Sequence, residues 1–431
     1  MSLWIWGLTA VLGGACLVKV GQWWLSVRIS AEITIPRPGP DAGPPSFPHD
    51  SAETATKPGH GWPSVLVVIP ARNEERDLPP CLEAVLAQDY PNFSVLVVDD
   101  RSEDRTATIV GEYLARDSRI RLEQVTALPP GWTGKAHAMW FAAQGATADW
   151  LQFIDADVTL EPWAVRGAMQ EALARRVALL TAFPRAAREG FWQQVSLPLL
   201  GSLLMLWYRP DWVNNPVNPM GFVNGQFLLM RRDEYQRVGG HWSVRDTLIE
   251  DVPFGGVAKR AGVACRLALC GNLAKIRMYT SFQGLVDGFP RIYIGALRSR
   301  AKLALTALVL MMNLASLAIL LVLGFLAVAG SPPWQSGATA TGLAPPLEWT
   351  ALVAVCVADI GVSLLLYAQL WRGGQLSAWW VWLYPLALTL AIVILIRAWW
   401  WLTTGHIVTW RGTGYQIDRR GRILPQVAVN R

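Results

Sequence analysis

The chain has 431 residues, 52% of them hydrophobic and 23 of them tryptophan, a composition that excludes an ordinary soluble enzyme. Its net charge of +6 is modest and scattered, and no nucleic-acid-binding motif accompanies it; a basic face apposed to anionic lipid accounts for it better. The five cysteines (Cys16, Cys81, Cys265, Cys270 and Cys356) lack zinc-type spacing and read as reduced structural residues.

Residues 1–27 are expected to form a transmembrane helix. Leu3 to Leu25 is apolar apart from Lys19, no small-residue cleavage site follows, and Arg28 and Arg37 mark the cytoplasmic side. Residues 28–63 are dense in proline and read as an extended linker. From residue 64 onward, apolar runs alternate with helical patterns. Ser64 to Pro70 is a buried-strand run, followed by Asn73-Glu74 and a helix through Leu86. Asn92 to Val98 repeats the plan and ends in Asp99-Asp100, with Ser102 placed to cap the next helix. Arg119 to Gln124 is a third strand, Lys135 to Gly145 a helix, and the apolar run from Leu151 a fourth strand ending at Asp155, with Ala156-Asp157 following. This alternation predicts an α/β domain over residues 64–300, with a mostly parallel sheet flanked by helices. In such sheets ligands sit beyond the carboxyl ends of the strands, where these acids fall. Further on, Val177 to Phe183 reads as a strand and Gly221 to Met230 as another with a glycine-rich entry. Val195 to Tyr208 is too short and broken to span a bilayer and suits a core or membrane-surface segment. Leu248 to Val252 carries Glu250-Asp251 into a helix ending at Gly262.

Three long apolar segments follow, Leu303 to Ala329, Thr350 to Leu370 and Ala378 to Leu402. They assign residues 301–402 to three transmembrane helices and residues 403–431 to a basic C-terminal tail. The loop from Ser331 to Glu348 carries no Lys or Arg, as an external loop should, whereas Arg291, Arg298, Arg300 and Lys302 crowd the inner end. One conflict arises. A single helix before the domain and three after it put the tail outside, yet the tail holds Arg411, Arg419, Arg420, Arg422 and Arg431. Either one segment does not fully span, or the charge bias fails.

Two carboxylates at one strand end are costly unless a cation or donors neutralise them. For Asp155 and Asp157 the economical partner is Mg²⁺ or Mn²⁺ shared with a diphosphate, since these ions prefer hard oxygen ligands. The bland alternatives are a solvated turn for Asp155-x-Asp157 and helix-start acids for Asp99-Asp100 and Glu250-Asp251. Acids at three strand ends weigh against scattered charge. No Gly-x-Gly-x-x-Gly follows the first strand, which disfavours a dehydrogenase. The apolar segments have few charges and no internal repeat, which disfavours a transporter. His137 and His241 read as hydrogen-bonded structural residues, and Trp212 and Trp242 suit sugar stacking, core or interface.

Val67 to Glu74, Val97 to Ser102, Gly134-Lys135, Asp155-Ala156-Asp157 and Glu250-Asp251 stand in an order that resembles family 2 glycosyltransferases with the GT-A fold. Gly225-Gln226-Phe227, Gly239-Gly240-His241 and Arg245 to Asp251, with the terminal helices, more narrowly resemble hopene-associated glycosyltransferases of bacterial hopanoid clusters. The layout is also similar to carotenoid and ceramide glycosyltransferases. The resemblance implies an inverting hexosyl transfer from a nucleotide-sugar, with UDP as carrier, to a hydroxyl of a membrane lipid, a hopanoid first. A carotenoid, polyprenyl-phosphate or glycolipid acceptor is the alternative, and a membrane transporter or sensor the non-enzymatic one. It further implies a multi-pass protein of the bacterial inner membrane whose catalytic domain faces the cytoplasm. By the same resemblance, Pro70, Ala71, Asn73, Glu74, Asp99 and Asp100, together with Gly225 and Gln226, hold the nucleotide-sugar. Lys135 sits beside the nucleotide and offsets the acids. Asp155 and Asp157 hold the metal on the diphosphate, Asp157 more directly. Asp251 is the general base and Glu250 its support. The Gln-x-x-Arg-Trp motif of processive members is absent from Arg291 to Arg300, which weakens a polymer-synthase reading. The role of Trp410-Arg411-Gly412-Thr413-Gly414-Tyr415, a segment that some relatives carry after their membrane helices, stays open.

Overall fold

The computed structural model describes residues 2–32, 34–39, 61–187, 189–269, 273–279, 281–331, 333–335, 345–373 and 376–424. Most of the expected linker, Cys270, most of the loop between residues 331 and 348, and Arg431 lie outside the described residues. Cys16, Cys81, Cys265 and Cys356 are free thiols.

The regular alternation in the sequence becomes strand β1 (Val65–Ala71), helix α2 (Leu78–Leu86), β2 (Phe93–Asp100), α3 (Thr106–Leu114), β3 (Ile120–Val125), α4 (Gly134–Gln144) and β4 (Trp150–Ile154), with α1 (Ser2–Glu32) preceding them. These four strands are parallel, in the order β3-β2-β1-β4. Strand β1 is apolar throughout because both of its faces are covered. Val65, Val67 and Ile69 pack with α2 and with α5 (Ala164–Ala174), whereas Leu66 and Val68 pack with α4 and α9 (Asp251–Arg260). After β4 the chain turns at Asp155 to Asp157 into β5 (Val158–Leu160), then passes through α5, β6 (Leu179–Phe183), β7 (Arg185–Ala186), α6 (Phe191–Trp207) and α7 (Pro210–Asn214). Strand β8 (Phe227–Arg231) enters antiparallel between β4 and β6. After α8 (Arg232–Arg237) and α9, strand β9 (Cys265–Leu269) closes a seven-stranded sheet alongside β6. Strand β10 (Ala274–Ile276) joins β5 and β7 in a small second sheet. The architecture is the expected GT-A type, mostly parallel, with β8 as the antiparallel member.

Two local expectations are corrected. The strand foreseen from Gly221 begins at Phe227, because the backbone before it bonds to side chains instead of a ladder. Asn224 N donates to Thr181 Oγ1 (2.8 Å), Gly225 N to Asp251 Oδ2 (3.1 Å) and Gln226 N to Asn224 Oδ1 (3.2 Å). The fourth parallel strand ends at Ile154, so Asp155 and Asp157 stand on the turn between two sheets, where Val158 N donates to Asp155 O (3.1 Å).

Helix α10 (Phe282–Leu297) leads to α11 (Arg300–Val328), α12 (Leu347–Gly373), α13 (Tyr384–Thr404) and a hairpin of β11 (Ile407–Trp410) and β12 (Thr413–Gln416). Helices α1, α11, α12 and α13 are long and apolar enough to cross a membrane. Helix α1 runs on to Glu32, past the boundary expected at residue 27. With 29 residues, α11 reaches roughly 43 Å at about 1.5 Å per residue, well beyond a hydrocarbon core of about 30 Å. It is antiparallel to α12. Leu323 near its end packs with Trp349 and Leu352 at the start of α12, and with Ile5 and Leu12 of α1. The lysine that interrupts α1 is paired: Lys19 Nζ binds Asp359 of α12 and donates to Ser363 Oγ (3.1 Å), which bonds Asn313 of α11. A charge at that depth persists because a buried partner meets it.

Helix α13 differs from α11 and α12 in its surroundings. At its start Tyr384 stacks on Tyr367 of α12 with centroids 5.3 Å apart. One turn on, Trp371 Nε1 donates to Gln194 O of α6 (2.9 Å), and the adjacent Gln193 Nε2 donates to Met278 O beside β10 (2.8 Å). Midway, Arg397 pairs with Asp287 of α10 (2.8 Å). At its end Gly405, in the left-handed region at φ 68°, turns the chain into the β11–β12 hairpin. The start of α13 is thus tied through α12 to α6, and its end leads into the hairpin.

Candidate active site

The carboxyl ends of β1, β2 and β4 open on one cavity of about 680 Å³. Pro70, Ala71, Glu74, Asp100, Lys135, Asp155, Asp157, Gln226, Glu250 and Asp251 all line it. Lys135, in the first turn of α4, sits between the acids, with Nζ 2.6 Å from Asp155 Oδ1 and 3.0 Å from Glu250 Oε1. Burial works against its charge, but Asp155, Glu250 and Asp251 together hold its pKa above the usual lysine value. The same burial opposes ionisation of Glu250, and Lys135 overrides it, so the Glu250 carboxyl lies below its ordinary value.

The other acids are pushed the opposite way. Asp157 is raised to about 8, first by burial and then by Asp155 and Glu74. Its Oδ1 is buried and has no hydrogen-bond partner. Asp155 is raised by burial against the pull of Lys135. Asp251, the first residue of α9, is raised to about 6 by burial and by Glu250. Its Oδ2 accepts from Gly225 N (3.1 Å) and its Oδ1 from Val252 N (2.7 Å). Glu250-Asp251 thus starts a helix and also faces the cavity; the two readings of that pair coexist. A side chain at position 225 would stand 3.1 Å from Lys135 Nζ and 3.2 Å from Glu250 Oε1, so Gly225 is what lets this loop lie on the charge cluster.

Among the described residues, no group of three or more His, Cys, Asp or Glu forms a metal site by itself. Asp155 and Asp157 nonetheless fit a divalent cation whose remaining ligands come from substrate and water. The unpartnered Asp157 oxygen and its raised pKa mark a carboxylate short of positive charge.

Two expected nucleotide-site residues support the cavity rather than line it. Asn73 adopts a left-handed conformation (φ 52°), takes a bond from Glu103 N on Oδ1 (2.8 Å) and gives one from its own N to Ser102 Oγ (3.0 Å). Asp99 accepts from Ser102 N (3.1 Å) and Gln124 Nε2 (3.2 Å). Both organise the loops after β1 and β2. Asp100 faces the cavity but is held by Arg101 in a two-pronged pair, at 2.7 and 3.0 Å. His241 is buried, bonded to Tyr235 OH (2.7 Å) and pushed down to about 4 by burial, as a structural histidine is. Trp242 packs on Trp132 and Trp140, with Arg245 over its ring.

The C-terminal hairpin is the part of the site that sequence reasoning missed. Thr409, Trp410, Arg411 and Tyr415 line the cavity. Arg411 pairs with Glu74, whose carboxyl is raised to about 7 by burial despite that arginine. Arg72 Nη1 donates to Thr413 Oγ1 (3.0 Å), and Gly134 N donates to Tyr415 OH (3.4 Å). Arg291, one of the basic residues expected at the inner end of the membrane segments, lies 3.5 Å over the Trp410 ring and faces the cavity. The signal for the hairpin was the Trp410-to-Tyr415 segment, with Arg411-Gly412 at its turn, both in the left-handed region at φ 45° and 76°.

Residues 66–239 match Glycosyl transferase family 2, so the chain carries a family 2 glycosyltransferase domain and belongs to that enzyme class. The chain is 26% identical over 368 residues to 4,4'-diaponeurosporenoate glycosyltransferase of Staphylococcus aureus (strain USA300), covering 83% of this chain and 89% of the relative. The Staphylococcus haemolyticus protein of the same name is 26% identical over 244 residues, 55% of this chain and 63% of its own length. Among solved structures, it is similar to a mannosyltransferase from Pyrobaculum calidifontis in complex with GDP-Man and Mn²⁺, with TM-score 0.48, 18% identity, and coverage of 83% of this chain and 97% of that one.

Proposed function

We propose that this domain transfers a sugar, with inversion, from a nucleotide-diphospho-sugar to a membrane lipid. The observation that carries the reading is one cavity, at the foot of apolar helices, that holds Asp155 and Asp157 together with Asp251, whose carboxyl is raised to about 6. In the reaction an acceptor oxygen attacks the anomeric carbon, the bond from that carbon to the diphosphate oxygen breaks, and nucleoside diphosphate leaves. Asp251 takes the acceptor's proton; a carboxyl near pH 6 is ionised at neutral pH and still basic enough to help. Glu250, kept charged by Lys135, holds Asp251 in its raised state. Mg²⁺ or Mn²⁺ on Asp155 and Asp157 would offset the charge that grows on the diphosphate. Pro70, Ala71, Asp100, Gln226 and Arg72 surround the donor, a UDP-sugar in the first instance, with Asn73, Asp99 and Gly225 shaping the loops behind them.

The acceptor is an extended isoprenoid lipid. The sequence resemblance favours a hopanoid hydroxyl. The Staphylococcus relatives favour a carotenoid acid, since diaponeurosporenoate ends in a carboxylate by its name. That group is already ionised near neutral pH and needs no base. The catalytic domain, residues 64–300, faces the cytoplasm of a bacterial inner membrane, on the side where Arg291, Arg298, Arg300 and Lys302 gather. The arginine-rich tail shares that side, because α11 and α12 cross the bilayer while α13 lies along its face.

The test uses detergent-purified protein, Mn²⁺ or Mg²⁺, a panel of labelled nucleotide-sugars and total bacterial lipid, with mass spectrometry of any lipid that gains sugar. A glycosylated triterpenoid alcohol supports the hopanoid reading and a sugar ester of a carotenoid acid the other. Label in water-soluble polymer alone overturns both.

A further inference from the structure

The cavity has a second, apolar part that the chemistry above does not use. On α6, Leu197, Gly201 and Leu204 recur at spacings of four and three, so they share one face of the helix, and all three line the cavity. Phe289 of α10 also lines it, and Phe222 and Ile249 continue the apolar wall. Ile249 adjoins Glu250-Asp251, so this wall begins beside the proposed base.

Helices α6 and α10 are braced against each other. Tyr293 OH donates to Leu200 O (2.8 Å), and Tyr208 OH to Ala296 O (2.6 Å). The space between them is therefore a fixed slot. Helix α6 also lies at the level where the membrane helices begin. Trp207 Nε1 donates to Thr306 Oγ1 of α11 (3.0 Å), with Lys302 Nζ 4.9 Å over its ring, and at the other end Phe191 packs edge-on against Trp380. Phe191, Phe282, Trp379 and Trp382 are exposed there, as a membrane-interface belt is. Gly201 is exposed, borders the cavity, and has nothing within 4 Å of where a Cβ would stand. It marks an opening in the wall.

We propose that the slot between α6 and α10 receives the apolar body of an isoprenoid acceptor from the membrane interface, and that the missing side chain at Gly201 sets its width. The inference rests on the lipid-transfer reading. A lipid whose polar end reaches Asp251 must leave its apolar remainder somewhere dry, and this wall runs from the base to the membrane level. Extended, flat or ring-built chains pass beside a glycine; a bulky residue there closes the slot without touching the donor half.

The experiment compares wild type, Gly201→Ala and Gly201→Trp in vesicles of phosphatidylethanolamine and phosphatidylglycerol. The acceptor probe is a polyprenol carrying a diazirine at its apolar end. Wild-type transfer to the probe is the control; its absence, with no cross-link to the wild type, overturns this inference, while the total-lipid assay above tests the lipid-transfer reading separately. Given that transfer, Gly201→Ala is expected to raise KM for the lipid less than Gly201→Trp does. Gly201→Trp is expected to raise KM for the lipid by about 10- to 200-fold, the range for an obstructed apolar contact, with nucleotide-sugar binding unchanged. Unaltered KM in Gly201→Trp, or joint loss of donor binding, overturns the slot while leaving the lipid-transfer reading in place. Photolysis of the wild-type complex decides independently of how the variants fold. Cross-links on residues 197–204 and 288–292 support the slot; cross-links confined to α11 and α12 contradict it.

Discussion

Replacing Lys135 by Met is the sharpest perturbation of the site. The ammonium lies 2.6 Å from Asp155 and 3.0 Å from Glu250, and it is the side chain that bridges these two acids. At 3 Å and an effective dielectric near 20, each attraction is worth about 5 kcal/mol before desolvation is counted. Removing one partner of a buried pair costs about 3–5 kcal/mol, because the partners are left uncompensated. The Lys135 and Asp155 side chains are 29% and 25% exposed, which moves the expectation to the low end, about 3 kcal/mol. For a domain of this size that corresponds to a Tm lower by roughly 6–12 °C. The loss depends on pH in a fixed direction. Without the lysine, Glu250 loses the pull that holds its carboxyl below the ordinary value, and Asp155 and Asp251, already raised by burial, rise further. Stability is then retained below about pH 4 and lost as pH rises through the raised values. Thermal unfolding in detergent at pH 5 and pH 8 should show the larger deficit at pH 8. An equal deficit at both, or none at pH 8, would refute the argument that Lys135 holds the acids charged.

Three further expectations follow from the same geometry. With a hydroxyl acceptor, kcat/KM should fall below about pH 6 as Asp251 protonates, and Asp251→Asn should lose about 10²–10⁴-fold in transfer with donor binding kept; a flat profile with an active variant would point to a carboxylate acceptor. Chelation should abolish transfer, Mn²⁺ or Mg²⁺ should restore it, and Asp157→Ala should remain inactive with either ion; transfer in excess chelator would remove the metal role. Single cysteines placed at Arg260 and at Arg420 should be labelled from the same side of sealed vesicles, because α12 ties the start of α13 to α6 and the hairpin after α13 bonds Arg72 and Glu74. Labelling from opposite sides would make α13 a crossing helix.

The legible parts of this molecule were those encoded locally. Strands β1, β2 and β4 are apolar runs followed by acids, so Asp100, Asp155 and Asp157 could be placed at one sheet edge from the sequence. Asp251 and Lys135 were found through motif order, and their contact with each other's surroundings followed from the fold. What escaped was non-local. Arg411 and Glu74 are separated by 337 residues and meet because α13 brings the tail back to the cavity. The irregular Gly221-to-Gln226 stretch looked like a strand by composition, and its side-chain hydrogen bonds to Thr181 and Asp251 are invisible in the sequence. The conflict at the basic tail turns on whether α13 crosses the membrane, and hydropathy registers length and apolarity but not what a helix packs against.

The most direct test of lipid transfer is nucleoside diphosphate release measured with and without added membrane lipid in the same preparation. Release that requires lipid and matches, mole for mole, the sugar recovered on lipid is the expected result. Release that ignores lipid, with no sugar recovered on it, would contradict the account.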